Sequence, residues 1–267
     1  MLPDFELITH KFPEGQDILI IPIADVHLGA RECMEQEFIK FVDVVKDREN
    51  VFFVLCGDLI SNGVKNSVTN IYEETMRPSE QKKMMAKILA PIAERILCVV
   101  NGNHERRSGK EVDDSPTYDI CAKLDIEDRY RENIAFVKIQ MGEPVRDTGT
   151  RTSGRNRPCY VLGVSHGAGG GALTGAGINK TERFSAYIDG LDCFISAHTH
   201  RPSVTQPGKI VIDPKNNLVT IKPFKVVTAT SWLTSGGYSF QKLLTPNSHA
   251  LQTLTLCGDH KEMRVQM

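Results

Sequence analysis

The stretch Ile18-Leu19-Ile20-Ile21-Pro22-Ile23-Ala24-Asp25-Val26-His27, residues 18–27, decides the fold: a short apolar run ends abruptly on an aspartate and a histidine one residue apart. So short a run, rich in isoleucine and bounded by Asp17 and Asp25, reads as a buried strand. Downstream, Phe38, Phe41, Val42 and Val45 recur at helical spacing, and the next apolar run, Val51 to Cys56, stops at Gly57 and Asp58. Met85, Ile88, Leu89 and Ile92 mark a second helical face, with Ser79 after Pro78 as its start and Pro91 as its kink or end. Ile96 to Val100 gives a third strand. Ser115 followed by Pro116 predicts an N-cap and first turn of a helix burying Ile120, Cys121 and Leu124. Strand and helix alternating in this way predict an α/β layered fold.

From residue 134 onward strands predominate, the clearest being Ala135 to Ile139, Cys159 to Val164 and Cys193 to Ala197, with one helix near Thr181 to Ile188. The C-terminal third is expected to be antiparallel sheet. Its strands are Lys209 to Asp213, Leu218 to Ile221, Lys225 to Ala229 and Leu251 to Leu256, and Lys215, Asn216 and Asn217 form a hairpin connection. Gly142 to Pro158 and Gly167 to Gly177 are expected to be loops. No Pro- or Ser-rich linker divides the chain, so one domain over residues 1–267 is expected.

A formal charge of -1 and a pI near 6.7 exclude the overall basic field that drives non-specific binding to nucleic acid, so any polyanion site must be local. The seven cysteines are odd in number and never form C-x-x-C, a pattern that suits reduced, buried thiols. The N-terminus lacks a basic start with an apolar stretch, and no segment approaches the ~20 apolar residues of a membrane span. A soluble cytoplasmic protein with no membrane partner is the expectation.

The strand ends share a theme: Asp25-Val26-His27, Gly57-Asp58, Gly102-Asn103-His104-Glu105, Ser165-His166-Gly167 and Ala197-His198-Thr199-His200. Five of the eight histidines fall in these clusters. Loops beyond strand ends of an α/β sheet converge on one face, so residues distant in sequence can share a site. Imidazole and carboxylate together suit Mn²⁺, Fe²⁺ or Zn²⁺, and D-x-H or H-x-H on a bend can aim two side chains the same way. A carboxylate such as Asp58 can bridge two cations roughly 3.5 to 4 Å apart, a separation suited to in-line displacement at phosphorus. Singly, Asp25, Asp58 or Asn103 reads as a helix cap or turn former, and His166 as a satisfied polar residue. The joint pattern overturns that reading.

In order and spacing, D-x-H, G-D, G-N-H-E, a lone H and H-x-H resemble the blocks of the calcineurin-like metallophosphoesterases, over residues 25 to 200. The resemblance implies a two-sheet β-sandwich flanked by helices, with a dinuclear metal site at the strand ends. It implies that Asp25, His27 and His200 hold one divalent ion, Asn103, His166 and His198 the second, and that Asp58 bridges them, with Mn²⁺ preferred over Fe²⁺ or Zn²⁺. His104 is implied as a catalytic group that faces the phosphate without binding metal.

Two departures constrain the substrate. The family's protein phosphatases continue G-D-x-V-D-R-G, whereas here Ser61 and Asn62 replace the Asp that orients the histidine and the Arg that grips phosphate. Ala197 replaces the usual glycine of G-H-x-H. Arginines occur elsewhere: Arg106 and Arg107 come directly after G-N-H-E, and Arg146, Arg151, Arg155 and Arg157 lie in the polar loop. Of these, Arg106, Arg107, Arg151 and Arg155 are candidates to bind substrate phosphate, against the alternative of a solvated surface. Lys180-Thr181 superficially suggests a P-loop, but Thr174 and Asn179 stand where glycines are required. Trp232 reads as packing rather than a base-stacking platform, and His10, His249 and His260 receive no role.

The expected activity is hydrolysis of a phosphodiester in nucleic acid or a nucleotide, nuclease activity included, by direct water attack. Phosphomonoesterase activity, including protein phosphatase activity, is the alternative. A non-catalytic scaffold ranks lower, since such a scaffold would be expected to lose ligands that this chain keeps.

Overall fold

The computed structural model describes residues 3–65, 67, 70–142, 157–169, 175–241, 246 and 248–267. Its first half contains strands β1 (Leu7–Phe12), β2 (Ile18–Ile23), β3 (Val51–Leu55), β4 (Ile96–Val100), β5 (Tyr130–Arg131) and β6 (Ile134–Met141). The second contains β7 (Cys159–Ser165), β8 (Cys193–Ser196), β9 (Ser203–Thr205), β10 (Gly208–Asp213), β11 (Leu218–Pro223), β12 (Lys225–Thr228), β13 (Thr253–Leu256) and β14 (Met263–Gln266). The α-helices are α1 (Glu35–Val45), α2 (Pro78–Leu89), α3 (Glu105–Val112), α4 (Pro116–Lys123), α5 (Gly175–Ser185) and α6 (Gly237–Gln241).

Two six-stranded sheets pack face to face, one ordered β14-β13-β2-β3-β4-β5 and the other β1-β6-β7-β8-β12-β9. The period-two alternation of the central strands sorts their side chains between two cores. Ile20 and Val54 point between the sheets, where they meet Val137, Ile139, Leu162, Val164, Ile195 and Val227. Their neighbours Ile21 and Phe53 point the other way, under Phe38 and Val42 of α1, Met85 and Leu89 of α2, and Ile120 of α4. Helix α5 lies against β8 and β12 of the second sheet. The architecture is thus a two-sheet sandwich flanked by helices.

β2, β3 and β4 are mutually parallel, and so are β7 and β8. Their C-terminal ends therefore open onto one edge, which brings Asp25, Asp58, Asn103, His166 and His198 within reach of one another. Among the described residues no helix is long and apolar enough to cross a membrane. None of the cysteines is in a disulfide, and all but Cys33 and Cys159 are buried.

Three expectations are corrected. The C-terminal third is not one antiparallel sheet: β12 pairs parallel with β8, β13 joins β2 in the other sheet, and β10 and β11 form a separate hairpin. Short apolar strands carry no mark of their partner, which long-range packing chooses. Helix α2 begins at Pro78 rather than Ser79, with the Arg77 N–H donating to Glu80 Oε2 at 3.0 Å as its cap. The glycine-rich stretch is not loop throughout, because α5 starts at Gly175 and ends at Ser185. A Cβ on Gly177 would stand 2.3 Å from Thr199 Cγ2, so glycine serves close packing of this helix on the His198–His200 bend. The arginines directly after G-N-H-E lie on a helix, α3, which no apolar period announces. Residues 143–156, most of the expected Gly142 to Pro158 loop, lie outside the described residues, as do 170–174.

Candidate metal centre

Asp25, His27, Asp58, His198 and His200 all have φ between 48° and 72°. Left-handed backbone at a non-glycine residue costs of order 1–3 kcal/mol and persists only where its surroundings impose it. Here the two edge loops impose it on each other. Asp25 N–H donates to the Gly57 carbonyl at 3.1 Å, His27 N–H to Asp58 at 3.0 Å and Leu28 N–H to Leu59 at 3.0 Å. Trp232 N–H closes on the Asp25 carbonyl at 3.0 Å. The Trp232 ring is buried against Phe38 and Phe41, which makes it a packing residue.

The side chains so placed form two groups that share one carboxylate. In the first, Asp25 Oδ1 lies 3.3 Å from His200 Nε2 and 3.8 Å from His27 Nε2, and the two imidazole nitrogens are 3.4 Å apart. In the second, Asn103 Oδ1 lies 2.8 Å from both His166 Nε2 and His198 Nδ1. Asp58 Oδ2 stands between them, 3.6 Å from His27 Nε2 and 3.3 Å from His166 Nε2. The other carboxylate oxygens face main chain: Asp25 Oδ2 accepts from His198 N–H and Asp58 Oδ1 from His104 N–H, both at 2.9 Å. All seven residues singled out as ligands thus meet at one edge.

The donors fit divalent cations. Bonds of ~2.0–2.2 Å to nitrogen and oxygen place neighbouring donors about 3 Å apart, close to the spacings here. Asp25 Oδ1 is buried with no hydrogen-bond partner, an arrangement that is costly unless a cation completes it. The His166 Nδ1–H donates to the Cys56 carbonyl at 2.7 Å, turning Nε2 into the cluster, a role typical of groups that orient a ligand.

Burial alone would raise the Asp58 carboxyl, but the imidazoles of His166 and His104 outweigh it and hold it well below the usual carboxylate range. Burial likewise opposes the charged form of His166, yet the Asp58 charge pushes that imidazole up to about 10. A cation entering this group must therefore displace a proton, which couples binding to pH. His104 behaves oppositely. Burial drives it down to about 3, with Asp58 opposing and His27 and Arg107 assisting, so the imidazole is neutral.

His104 answers the question that Ser61 raises. Its Nδ1–H donates to the Ser61 carbonyl at 2.8 Å, so main chain supplies the orienting acceptor where a carboxylate is missing. Nε2 then faces the cluster, 3.9 Å from Asp58 Oδ2. The Ser61 hydroxyl donates to Glu74 Oε1 at 2.8 Å, and Gln81 Nε2 donates to Glu74 Oε2 at 2.8 Å. Asn62 is fully buried, and its amide donates to the His104 carbonyl and Ser108 Oγ, each at 2.8 Å. It secures the start of α3 and is not extended toward a substrate.

Glu105 closes the G-N-H-E block, and sequence reasoning gives it no part. Its buried carboxylate accepts four main-chain N–H groups, those of Leu59, Ile60, Asp58 and Gly102, at 2.7 to 3.2 Å, and so holds the loop that carries Asp58. Burial, then the Asp58 charge, raises this carboxyl to about 7 against the pull of those N–H groups. A Cβ on Gly102 would stand 2.1 Å from Asp58 N, so only glycine permits the approach. Glu105→Gln is expected to lower stability by about 2 kcal/mol or more, since its NH₂ must face donors that lose their acceptor. Thermal unfolding should read this as a fall of several degrees; an unchanged midpoint would contradict the role.

Of the arginines, Arg106 spends its guanidinium on the carbonyls of Asn101 and Glu132, at 3.3 and 3.0 Å. Arg107 is half-buried, close enough to Asp58 to feel its charge and to His104 to help keep that imidazole neutral. Arg151 and Arg155 lie outside the described residues. His10 bonds to the Leu97 carbonyl, His249 to that of Ser231 and His260 to Glu262, all apart from the cluster.

The calcineurin-like phosphoesterase family matches residues 18–202, more than half of the chain, and the chain belongs to that family. A DNA polymerase II small subunit of Pyrococcus abyssi is 28% identical over 119 residues, which is 39% of this chain and 19% of that relative. The match thus spans about a fifth of that relative's length. Among solved structures, the calcineurin-like phosphoesterase YfkN of Bacillus subtilis aligns over 94% of this chain and 90% of its own, at 12% identity and a TM-score of 0.39. The Haemophilus influenzae NAD nucleotidase NadN aligns over 94% and 49%, at 9% identity and a TM-score of 0.40. The Pseudomonas putida nuclease MPE aligns over 92% and 87%, at 14% identity and 0.33.

Proposed function

We propose that the chain hydrolyses phosphodiesters of nucleic acid or nucleotide type with two divalent ions, Mn²⁺ before Fe²⁺ or Zn²⁺. In this reading Asp25, His27 and His200 hold one ion, Asn103, His166 and His198 the other, and Asp58 both. The observation that carries it is the pair of donor groups meeting at Asp58 Oδ2, beside a buried Asp25 oxygen that makes no hydrogen bond. Such ions, when bound, supply Lewis-acid stabilisation of phosphoryl oxygens and an acidified water.

The remaining work belongs to the chain. Ser61 holds His104 so that Nε2 faces the cluster, where it can protonate a departing oxygen once an anionic phosphoryl group counters the effects that keep it neutral. Arg107 is the remaining described candidate of the substrate arginines for gripping phosphate, with Arg151 and Arg155 proposed to join it from the polar loop. Asn62, locked onto α3, cannot supply the phosphate grip of the protein phosphatases. A diester carries less charge than a monoester and needs less cationic neutralisation, which favours the diesterase reading. The sandwich core shared by both sheets supports one domain over residues 1–267, and the unpaired thiols fit a reducing, cytoplasmic setting.

With metal-loaded protein, kcat/KM for bis-p-nitrophenyl phosphate should exceed that for p-nitrophenyl phosphate by about tenfold or more, as expected if one cationic contact worth ~1.5 kcal/mol is missing. A preference for the monoester would overturn the choice of substrate class.

A further inference from the structure

The Ser61 carbonyl that accepts the His104 Nδ1–H is itself fixed from two sides. Ser61 N–H donates to the Leu28 carbonyl at 2.9 Å, and its hydroxyl donates to Glu74 Oε1 at 2.8 Å. Glu74 is anchored in turn. Its second oxygen accepts from Gln81 Nε2 at 2.8 Å, and Gln81, fully buried in the first turn of α2, also donates to the Met76 carbonyl at 2.9 Å and accepts the Asn62 N–H at 2.8 Å. Next to Glu74, Thr75 N–H donates to the Gly29 carbonyl at 2.8 Å, which ties this segment to the loop beyond His27. A Cβ on Gly63 would run into Glu74 Oε1 and one on Gly29 into Gln81 Nε2, so glycines leave the space that these two side chains fill. A solvated turn carboxylate would need none of these contacts.

We propose that Glu74 is a positioning residue for His104 that acts through Ser61, an inference that rests on the reading of His104 as the acid for the departing oxygen. The carboxylate fixes Ser61 so that its carbonyl meets Nδ1, which keeps Nε2 turned to the cluster. The His104 main chain is secured independently, because its carbonyl accepts from the Asn62 amide at 2.8 Å. Losing Glu74 therefore frees the ring and leaves the loop in place. Ser61 N–H keeps its hold on Leu28, so the ring is loosened rather than released. A loosened imidazole transfers its proton less well, while substrate binding is untouched.

Glu74→Gln and Ser61→Ala should each lower kcat for a dinucleotide by about tenfold, at unchanged KM and with both ions retained. The deficit should shrink for bis-p-nitrophenyl phosphate, whose leaving group departs unprotonated. Neither change should slow a His104→Asn protein further, because the group they position is gone. In metal-free protein the His104 Nδ1 proton resonance, identified by its absence from His104→Asn, should exchange faster with water in both variants. Equal losses on the two substrates, loss of an ion, an additive loss on His104→Asn or unchanged dinucleotide turnover would overturn the inference. An equal deficit of His104→Asn itself on both substrates would overturn the acid role beneath it.

Discussion

Asp58→Asn is expected to empty both metal positions and to lower turnover by about 10³-fold or more, since Lewis-acid stabilisation is worth several kcal/mol and each 1.36 kcal/mol is tenfold. Asp58 Oδ2 faces imidazoles of both groups, His27 at 3.6 Å and His166 at 3.3 Å. The amide keeps the shape but withdraws the negative charge that two cations would share. Its hydrogen bond from His104 N–H can survive, so the fold should remain and the loss should be one of charge. Near-normal content of both ions together with near-normal turnover would show that Asp58 does not bridge.

His104→Asn should separate chemistry from metal binding. No proposed ligand is lost, so both ions should remain, while turnover should fall by roughly 10²- to 10⁴-fold for a nucleoside leaving group, the range a positioned acid contributes. The deficit should shrink for p-nitrophenolate, which leaves without protonation. His104 Nε2 also lies within reach of His27 and Asp58, so the arrangement alone permits a ligand role. Loss of an ion from His104→Asn would make it a ligand. An equal deficit with both leaving groups would instead assign it to positioning phosphate.

The meeting of the seven candidate ligands was legible because each follows an apolar run, and a buried parallel strand delivers the residues after it to one edge. The interior of the sandwich was legible for the same reason: the period-two split of Ile20 and Ile21, or Phe53 and Val54, is local. Strand partnership was not local. Lys225–Thr228 reads like its neighbours, yet inserts between β8 and β9, parallel to the first and antiparallel to the second. The polar network was hidden too. Glu74 and Gln81 reach Ser61 and Asn62 across 13 and 19 positions, and nothing in their types announces a meeting. Arg106 and Arg107 look equivalent in sequence, but consecutive helical residues point about 100° apart, so one turns to main-chain carbonyls and the other toward Asp58.

If this edge holds two ions on which hydrolysis depends, stripping them must abolish turnover. Elemental analysis of chelator-stripped protein, titrated with Mn²⁺ while bis-p-nitrophenyl phosphate hydrolysis is followed, tests it most directly. Activity should be absent after stripping and rise with Mn²⁺ to a plateau at two bound ions per chain, with Ca²⁺ a poorer substitute. Full hydrolysis by protein verified free of metal, or a plateau reached with no ion retained, would contradict it.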